Sequence, residues 1–521
     1  MKRITLFLIL CSLFLGTADA QTPSWAKKAA QAVFTLKTFN ADGTLLASSN
    51  GYFVSENGDA VSNFTPFKGA QRAVVIDAQG KEMPVEAIIG GNDMYDVAKF
   101  KVAAKKVTAL STGTAAVSAT VWLLPYAAKK DAVCLKGSVS NAEKFQGSYN
   151  YYTLDMTAGE QYISCPILND AGEVIGLLQP SAEGTAAKCY AVSAAFAADL
   201  QTTALSINDA TLRSTAIQKA LPEKYEEALL SLYMSSSVMD AGQYTDYLNR
   251  FIEKFPHAAD GYIYRARLDA ANGNFAKADD DMRQAVKVAE KKDDAHYQYA
   301  QLIYQKELYR SDLPYEGWSL DKALEESKQA YEANPQAIYR QQQAQILYAQ
   351  QKYSDAFTIF DELTKGVLRD AETFYAAAQC KMQMDDKKAA VALLDSAVSM
   401  FTRPYVKTAA PYLAERAKLL MDLRRYQLAI NDMQDVVSIE PNNAELWAQK
   451  ASYELRVNLF DKALESAQEC LRLDPQGSDG YLMSGIAQCA KGDKAQGLQN
   501  LNRAKELGNS QAQSFIEKYS Q

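Results

Sequence analysis

Gly51-Tyr52-Phe53-Val54-Ser55-Glu56-Asn57-Gly58-Asp59-Ala60-Val61-Ser62-Asn63 reads as a strand, a turn and a second strand. The first four residues are aromatic and β-branched, Asn57-Gly58 is a turn signal, and an apolar run resumes at Ala60. The same texture extends outward. Ala32 to Leu36, Ala73 to Ile76 and Val121 to Leu124 are further strand-like runs, with turns marked at Asp42-Gly43 and Ala171-Gly172. Many short strands at this spacing predict a barrel or a sandwich.

From about residue 210 strand signals give way to long Ala-, Leu-, Gln-, Lys- and Glu-rich runs of helical period. Small residues recur at an interval of 34: Ala266 and Ala300, Ala344 and Ala378, then Ala417, Ala451 and Gly485. Twelve residues beyond most of these stands a second small residue: Ala278, Ala356, Ala390, Ala429, Ala463 or Gly497. Two antiparallel helices approach closely only where side chains are small, and Pro335, Pro441 and Pro475 close units because proline ends a helix. This helix-turn-helix period resembles the tetratricopeptide (TPR) repeat family. Seven units fit between 257 and 509, the second with extra residues around Leu308 to Trp318 and the fourth followed by an insertion near Thr402 to Lys407. Residues 204–256 read as a linker and a degenerate helical pair, and 510–521 as a capping helix.

Three stretches of the β region, read as residues 21–203, resemble the trypsin-like peptidase family, a double β-barrel. The strand-turn-strand 51–63 resembles the approach to the catalytic histidine. Asp93 to Val102 resembles the segment bearing the triad aspartate. Gln161 to Gly176 resembles the serine segment and the strand pair behind it. The resemblance places the histidine two residues after Asn63, where Thr65 stands, and the serine three residues before Pro166, where Ile163 stands; Asp96 alone keeps its expected type. A triad needs a base to take the nucleophile's proton, and the acid only orients that base. The two histidines of the chain, His257 and His296, both lie in the helical array, so no register shift restores one. Gln161, Ser164 and Cys165 replace the glycines expected around the nucleophile, which predicts that this turn relaxes to another conformation and loses the oxyanion hole. A displaced nucleophile at Ser164 or Cys165 is the rival idea. A thiolate there needs a lowered pKa, for which the β domain supplies no histidine. Tyr149, Tyr151, Tyr152 and Tyr162 either line a retained peptide cleft or, for the first three, alternate across one strand.

The resemblance to TPR proteins implies protein or peptide binding along the first helices. The Lys, Asn and Arg with which some members hold a C-terminal carboxylate are absent. The corresponding places carry Tyr297 and Gln301, Gln341 and Gln345, then Tyr375 and Gln379, with Tyr348 nearby. These either make a neutral, amide-rich binding surface or simply solvate the helices.

Lys2 and Arg3, the apolar run Ile4 to Leu15 and Ala18-Asp19-Ala20 read as an export signal over residues 1–20, cleaved before Gln21 and leaving no transmembrane anchor in the mature chain. A membrane anchor and a lipid-modified Cys11 are the competing readings. Beyond Cys11, no CxxC pair occurs, and no cofactor or metal motif appears. Among Cys134, Cys165 and Cys189 an oxidising compartment permits one disulfide; plain burial is the equal alternative. A formal net charge of -7 argues against a nucleic-acid partner. The expectation is therefore a non-catalytic scaffold of the bacterial envelope, periplasmic or extracellular, whose repeats hold a protein or peptide. A divergent, weak peptidase is the alternative.

Overall fold

The computed structural model describes residues 22–128, 133–180 and 188–520. The expected export signal, with Cys11 and Gln21, lies outside them. The chain forms two compact units, which meet in sequence at Pro256 and His257.

The first unit is built on two closed six-stranded antiparallel barrels. The first holds β1 (Val33–Phe39), β2 (Leu45–Phe53), β3 (Asp59–Ser62), β4 (Arg72–Ile76), β5 (Glu82–Asn92) and β6 (Val97–Val102), in the order β1-β2-β3-β6-β5-β4. The second holds β7 (Thr120–Leu123), β8 (Leu135–Phe145), β9 (Tyr149–Asp155), β10 (Pro166–Asn169), β11 (Val174–Gln179) and β12 (Lys188–Ser193), in the order β10-β11-β12-β9-β8-β7. Closure removes the exposed strand edges of an open sheet. The hairpin β2-β3 forms where Asn57-Gly58 predicts it. Gly58 sits at φ 90, and a Cβ there would lie 2.5 Å from the Val102 carbonyl oxygen, so only glycine fits.

Period-2 alternation fills three layers. Phe34, Leu36, Phe53, Ala60, Phe64, Phe67 and Phe100 pack inside the first barrel. Val121, Leu123, Tyr152, Leu154, Ile167, Ile175 and Leu178 pack inside the second. Val33, Tyr52, Val97, Leu124, Val174, Leu177 and Val192 form the layer between them. β11 is buried on both faces because Ile175 and Leu178 point into the barrel while Val174 and Leu177 point into that layer. Each such large side chain taken from water contributes about 1.5–3 kcal/mol.

Residues 204–222, read as linker, are stitched to the first barrel. Gly69 N donates to Ser214 O and Ala216 N to Ala70 O, and Ile88 exchanges bonds with Gln218 and Ala220. Leu212 and Ile217 enter the barrel core. The helices Tyr225–Ser235 and Ala241–Lys254 complete this unit, joined by the Tyr247 hydroxyl donating to Ser231 Oγ at 2.7 Å.

The second unit is all α. Its described residues pair Ala259–Ala271 with Phe275–Val288, Lys292–Tyr309 with Leu320–Ala333, Ala337–Ala349 with Tyr353–Leu363, and Ala371–Gln383 with Lys387–Ser399. Ala410–Asp422 with Tyr426–Ile439, Ala444–Arg456 with Phe460–Leu473 and Ser478–Lys491 with Lys494–Glu506 follow, and Ala512–Ser520 closes the array. Ala266, Ala300, Ala344, Ala378, Ala417 and Ala451 are wholly buried, as close helix packing demands. Seven residues after each small position, six of the pairs turn through a left-handed residue: Gly273, Gln351, Asp385, Arg424, Asn458 and Gly492. The next amide then reaches back to close the first helix, as Lys352 N does to Leu347 O at 2.9 Å and Arg425 N to Leu420 O at 2.8 Å. This is the six-to-one bond of a helix C-terminal motif that favours glycine. The pair 292–333 replaces it with an insertion tied down by Asp279, which accepts from the Tyr299 hydroxyl, from Tyr315 at 3.0 Å and from Trp318 Nε1 at 2.8 Å.

Candidate functional site

Thr65 and Ile163 line one cleft of about 420 Å³ together with Ser49, Asn50, Asn63, Pro66, Glu160 and Gln161, and Asp96 is joined to it through Thr65. Thr65 opens a short 3₁₀ turn after β3, and its amide donates to Asp96 Oδ1 at 2.6 Å. Asp96 itself sits at φ 47 in the β5-β6 connection. Ile163 follows the 3₁₀ turn Glu160–Tyr162 and is half-buried.

Asn63 joins these segments, a role its sequence context does not announce. Its amide donates to Ser164 Oγ at 3.0 Å, Ser164 Oγ donates to Asn63 Oδ1 at 3.0 Å, and its Nδ2 donates to Asp96 Oδ2 at 3.2 Å. Ser49 Oγ donates to the same Oδ1 at 2.6 Å. Asn50 extends the network, its Nδ2 donating to the carbonyls of Gln161 and Ile163 at 2.9 and 3.0 Å. Both carboxylate oxygens of Asp96 thus accept protein N–H groups, where a triad aspartate would orient an imidazole.

The turn around Ser164 corrects one expectation. It does not relax away from the left-handed region, because Ser164 holds φ 64. Fixing the hydroxyl between the two polar atoms of Asn63 offsets the ordinary steric cost of that conformation in a non-glycine residue. The amides around it are nevertheless committed. Tyr162 N donates to Gly159 O, Ile163 N to Glu160 O, Ser164 N to Leu178 O and Cys165 N to Tyr162 O.

Cys165 is wholly buried, and burial pushes its thiol up to about 12, opposite to the shift a nucleophilic thiolate requires. All six described cysteines are buried and free. The disulfide reading is therefore replaced by the other one: Cys165 and Cys189 are small apolar members of the second barrel's core, and Cys134 joins the inter-barrel layer. The tyrosines of β9 alternate as one strand. Tyr152 fills the barrel, whereas Tyr149 and Tyr151 pack on the outer side with Tyr95, Phe145, Tyr190 and Phe196. Tyr162 lies beside the second barrel's core.

In the helical unit Tyr297 and Gln301 stand on Lys292–Tyr309, Gln341, Gln345 and Tyr348 on Ala337–Ala349, and Tyr375 and Gln379 on Ala371–Gln383. Gln345 is exposed and the others are half-buried. Buried Gln342 links two of them, donating to Tyr297 O at 3.1 Å and Gln301 Oε1 at 3.3 Å, while its own Oε1 is buried with no partner. Ring contacts join Tyr297 to Tyr339 at 5.3 Å and Tyr375 to Tyr412 at 5.4 Å. Burial raises the phenols of Tyr297, Tyr348 and Tyr375, so these hydroxyls stay protonated at neutral pH. Gln342, Tyr339 and Tyr412 are the residues that spacing alone missed. Among the described residues no helix is long and apolar enough to cross a membrane.

No family model matches the chain. Its curated relatives include the small glutamine-rich tetratricopeptide repeat-containing protein 2 of Saccharomyces cerevisiae, 28% identical over 93 residues, covering 18% of this chain and 27% of that protein. The DnaJ homolog subfamily C member 3 of Gallus gallus is 23% identical over 259 residues, covering 46% of this chain and 48% of that one. The chain thus spans about half, or less, of the length of these relatives. Similar solved structures include the Rv3671c protease from M. tuberculosis in its active form, at 16% identity and a TM-score of 0.30, covering 37% of this chain and 84% of that one. The serine endoprotease from Yersinia pestis is 18% identical at a TM-score of 0.29, covering 36% and 65%. By its own strand order and helix pairing, the chain joins a trypsin-like double barrel to helix pairs of the TPR type.

Proposed function

We propose that this is a non-catalytic interaction protein of the bacterial envelope, in which the helix pairs hold a protein or peptide and the double barrel serves as an accessory docking module. The observation that carries the reading is the wiring of the cleft. Ser164 Oγ is held by Asn63, both Asp96 oxygens accept N–H groups, and residues 22–256 contain no histidine. General-base assistance is worth about 10²–10⁴-fold in rate, and this unit has no imidazole to supply it. Lys99 Nζ is spent on the Ala198 carbonyl at 2.5 Å and Lys101 on Asp59 at 3.0 Å. The envelope placement rests on residues 1–20 reading as an export signal. The repeat surface rests on half-buried tyrosine rings and amides, which bind neutral peptide backbone with little ordering cost.

The test is selection of displayed peptides on the full chain, followed by direct titration of the enriched peptides against Tyr297→Ala/Gln341→Ala/Tyr375→Ala. The proposal expects affinity to fall at least tenfold in the variant. Equal affinity would move the binding surface elsewhere.

A further inference from the structure

Behind the first barrel, the strap 202–222 and the helix Ala241–Lys254 enclose a cavity of about 520 Å³ within the first unit. That is the size of a small-molecule site. Its lining is unbalanced in charge. Arg213, Lys219 and Arg250 contribute to it, and Asp246 is the one carboxylate among the described lining residues. Lys219 and Arg250 are half-buried. Their hydrogen bonds go to backbone: Lys219 Nζ donates to Thr215 O at 2.7 Å and Arg250 Nη1 to Lys219 O at 2.9 Å, while the Arg250 guanidinium also lies 5.4 Å from the centre of the Tyr247 ring. Among the described residues neither forms an ion pair, and Arg250 Nε is buried with no acceptor. The nearby hydroxyls do not help, since Tyr247 donates to Ser231 and Thr215 to Ala70 O.

Half-buried cations without counter-charge are costly, and two others in the chain are paired, Arg265 with Asp281 and Arg416 with Asp432. Desolvation lowers the pKa of both Lys219 and Arg250, and for Arg250 it outweighs the opposing pull of Tyr247 and Asp246. We propose that this cavity binds a small anionic ligand through a carboxylate or phosphate group, with Arg250 and Lys219 as its charge partners and Arg213 at its rim. A guanidinium fork and an ammonium together suit a planar or tetrahedral oxyanion. The site is independent of the cleft and of the repeat surface.

The experiment titrates the full chain calorimetrically with inorganic phosphate and, separately, with succinate at low ionic strength, against sodium chloride at matched ionic strength. One saturable site for either oxyanion is expected, and the tighter probe identifies the group. Two exposed substitutions decide the assignment without disturbing the core. Gln243→Glu adds a carboxylate to the lining and weakens binding about threefold to tenfold, whereas Asp246→Asn removes the resident carboxylate and tightens it by a similar factor. Arg250→Gln abolishes it. Heats no larger than those of chloride for both probes, or affinities unchanged in Gln243→Glu and Asp246→Asn, would overturn the assignment.

Discussion

Ser164 Oγ lies 3.0 Å from both the amide nitrogen and the side-chain oxygen of Asn63, a pairing that spans 101 residues of sequence and bridges the two barrels' connecting loops. Both residues are buried, so cutting either partner strands a polar group away from water. Ser164→Ala and Asn63→Ala should each lower unfolding free energy by about 1–3 kcal/mol. Because both remove the Ser164 Oγ–Asn63 Oδ1 bond, the double variant should cost less than the sum. Denaturant titration of the three variants checks this; strict additivity would mean the two side chains act separately.

The cysteines offer a chemical test of burial. All six described thiols are free, and Cys165 and Cys380 are pushed up to about 12 by desolvation. Iodoacetamide at pH 8 should leave both unmodified in the native protein and modify them in denaturant without any reductant. Mass spectrometry of the alkylated peptides reads both outcomes, and a requirement for reductant would indicate a disulfide.

Arg424 and Gln351 occupy left-handed turns at φ 57 and 62, are exposed, and stand where two other pairs use Gly273 and Gly492. Relief of the left-handed cost outweighs the added entropy of glycine in the unfolded chain. Arg424→Gly and Gln351→Gly should each raise stability by about 0.5–1 kcal/mol, and Gly273→Ala should lower it by a similar amount. Thermal unfolding of the full chain measures the signs, which should be opposite.

Asp279 is 2% exposed and accepts from three aromatic side chains while pairing with Arg283 at 2.6 Å. Asp279→Ala leaves the Tyr299 hydroxyl and the Trp318 N–H without an acceptor, and should cost about 3–5 kcal/mol. The insertion before Leu320–Ala333 should loosen first, seen as a red shift of Trp318 emission below the global transition.

The regular parts of this fold were legible for a simple reason: period-2 strands around Gly58 and a recurring small residue every 34 positions are properties of neighbouring residues. What escaped depends on distant partners. Asn63 follows an ordinary strand, and nothing local says that its side chain will meet Ser49, Ser164 and Asp96. Leu212 and Ile217 are isolated apolar residues in a polar stretch, so their place in the first barrel's core was hidden. The turns at Gln351 and Arg424 were hidden because those residue types disfavour the left-handed conformation. At Ser164 the absence of glycine predicts a changed conformation, whereas the residue holds φ 64 with its hydroxyl bonded to Asn63.

The most direct measurement is exposure of the full chain to a fluorophosphonate and to a thiol-directed epoxide, alongside a mixed peptide library read by mass spectrometry. The account predicts no covalent label and no cleavage above buffer. Labelling or cleavage that disappears in Ser164→Ala or Cys165→Ala would contradict it and return the chain to the working peptidases.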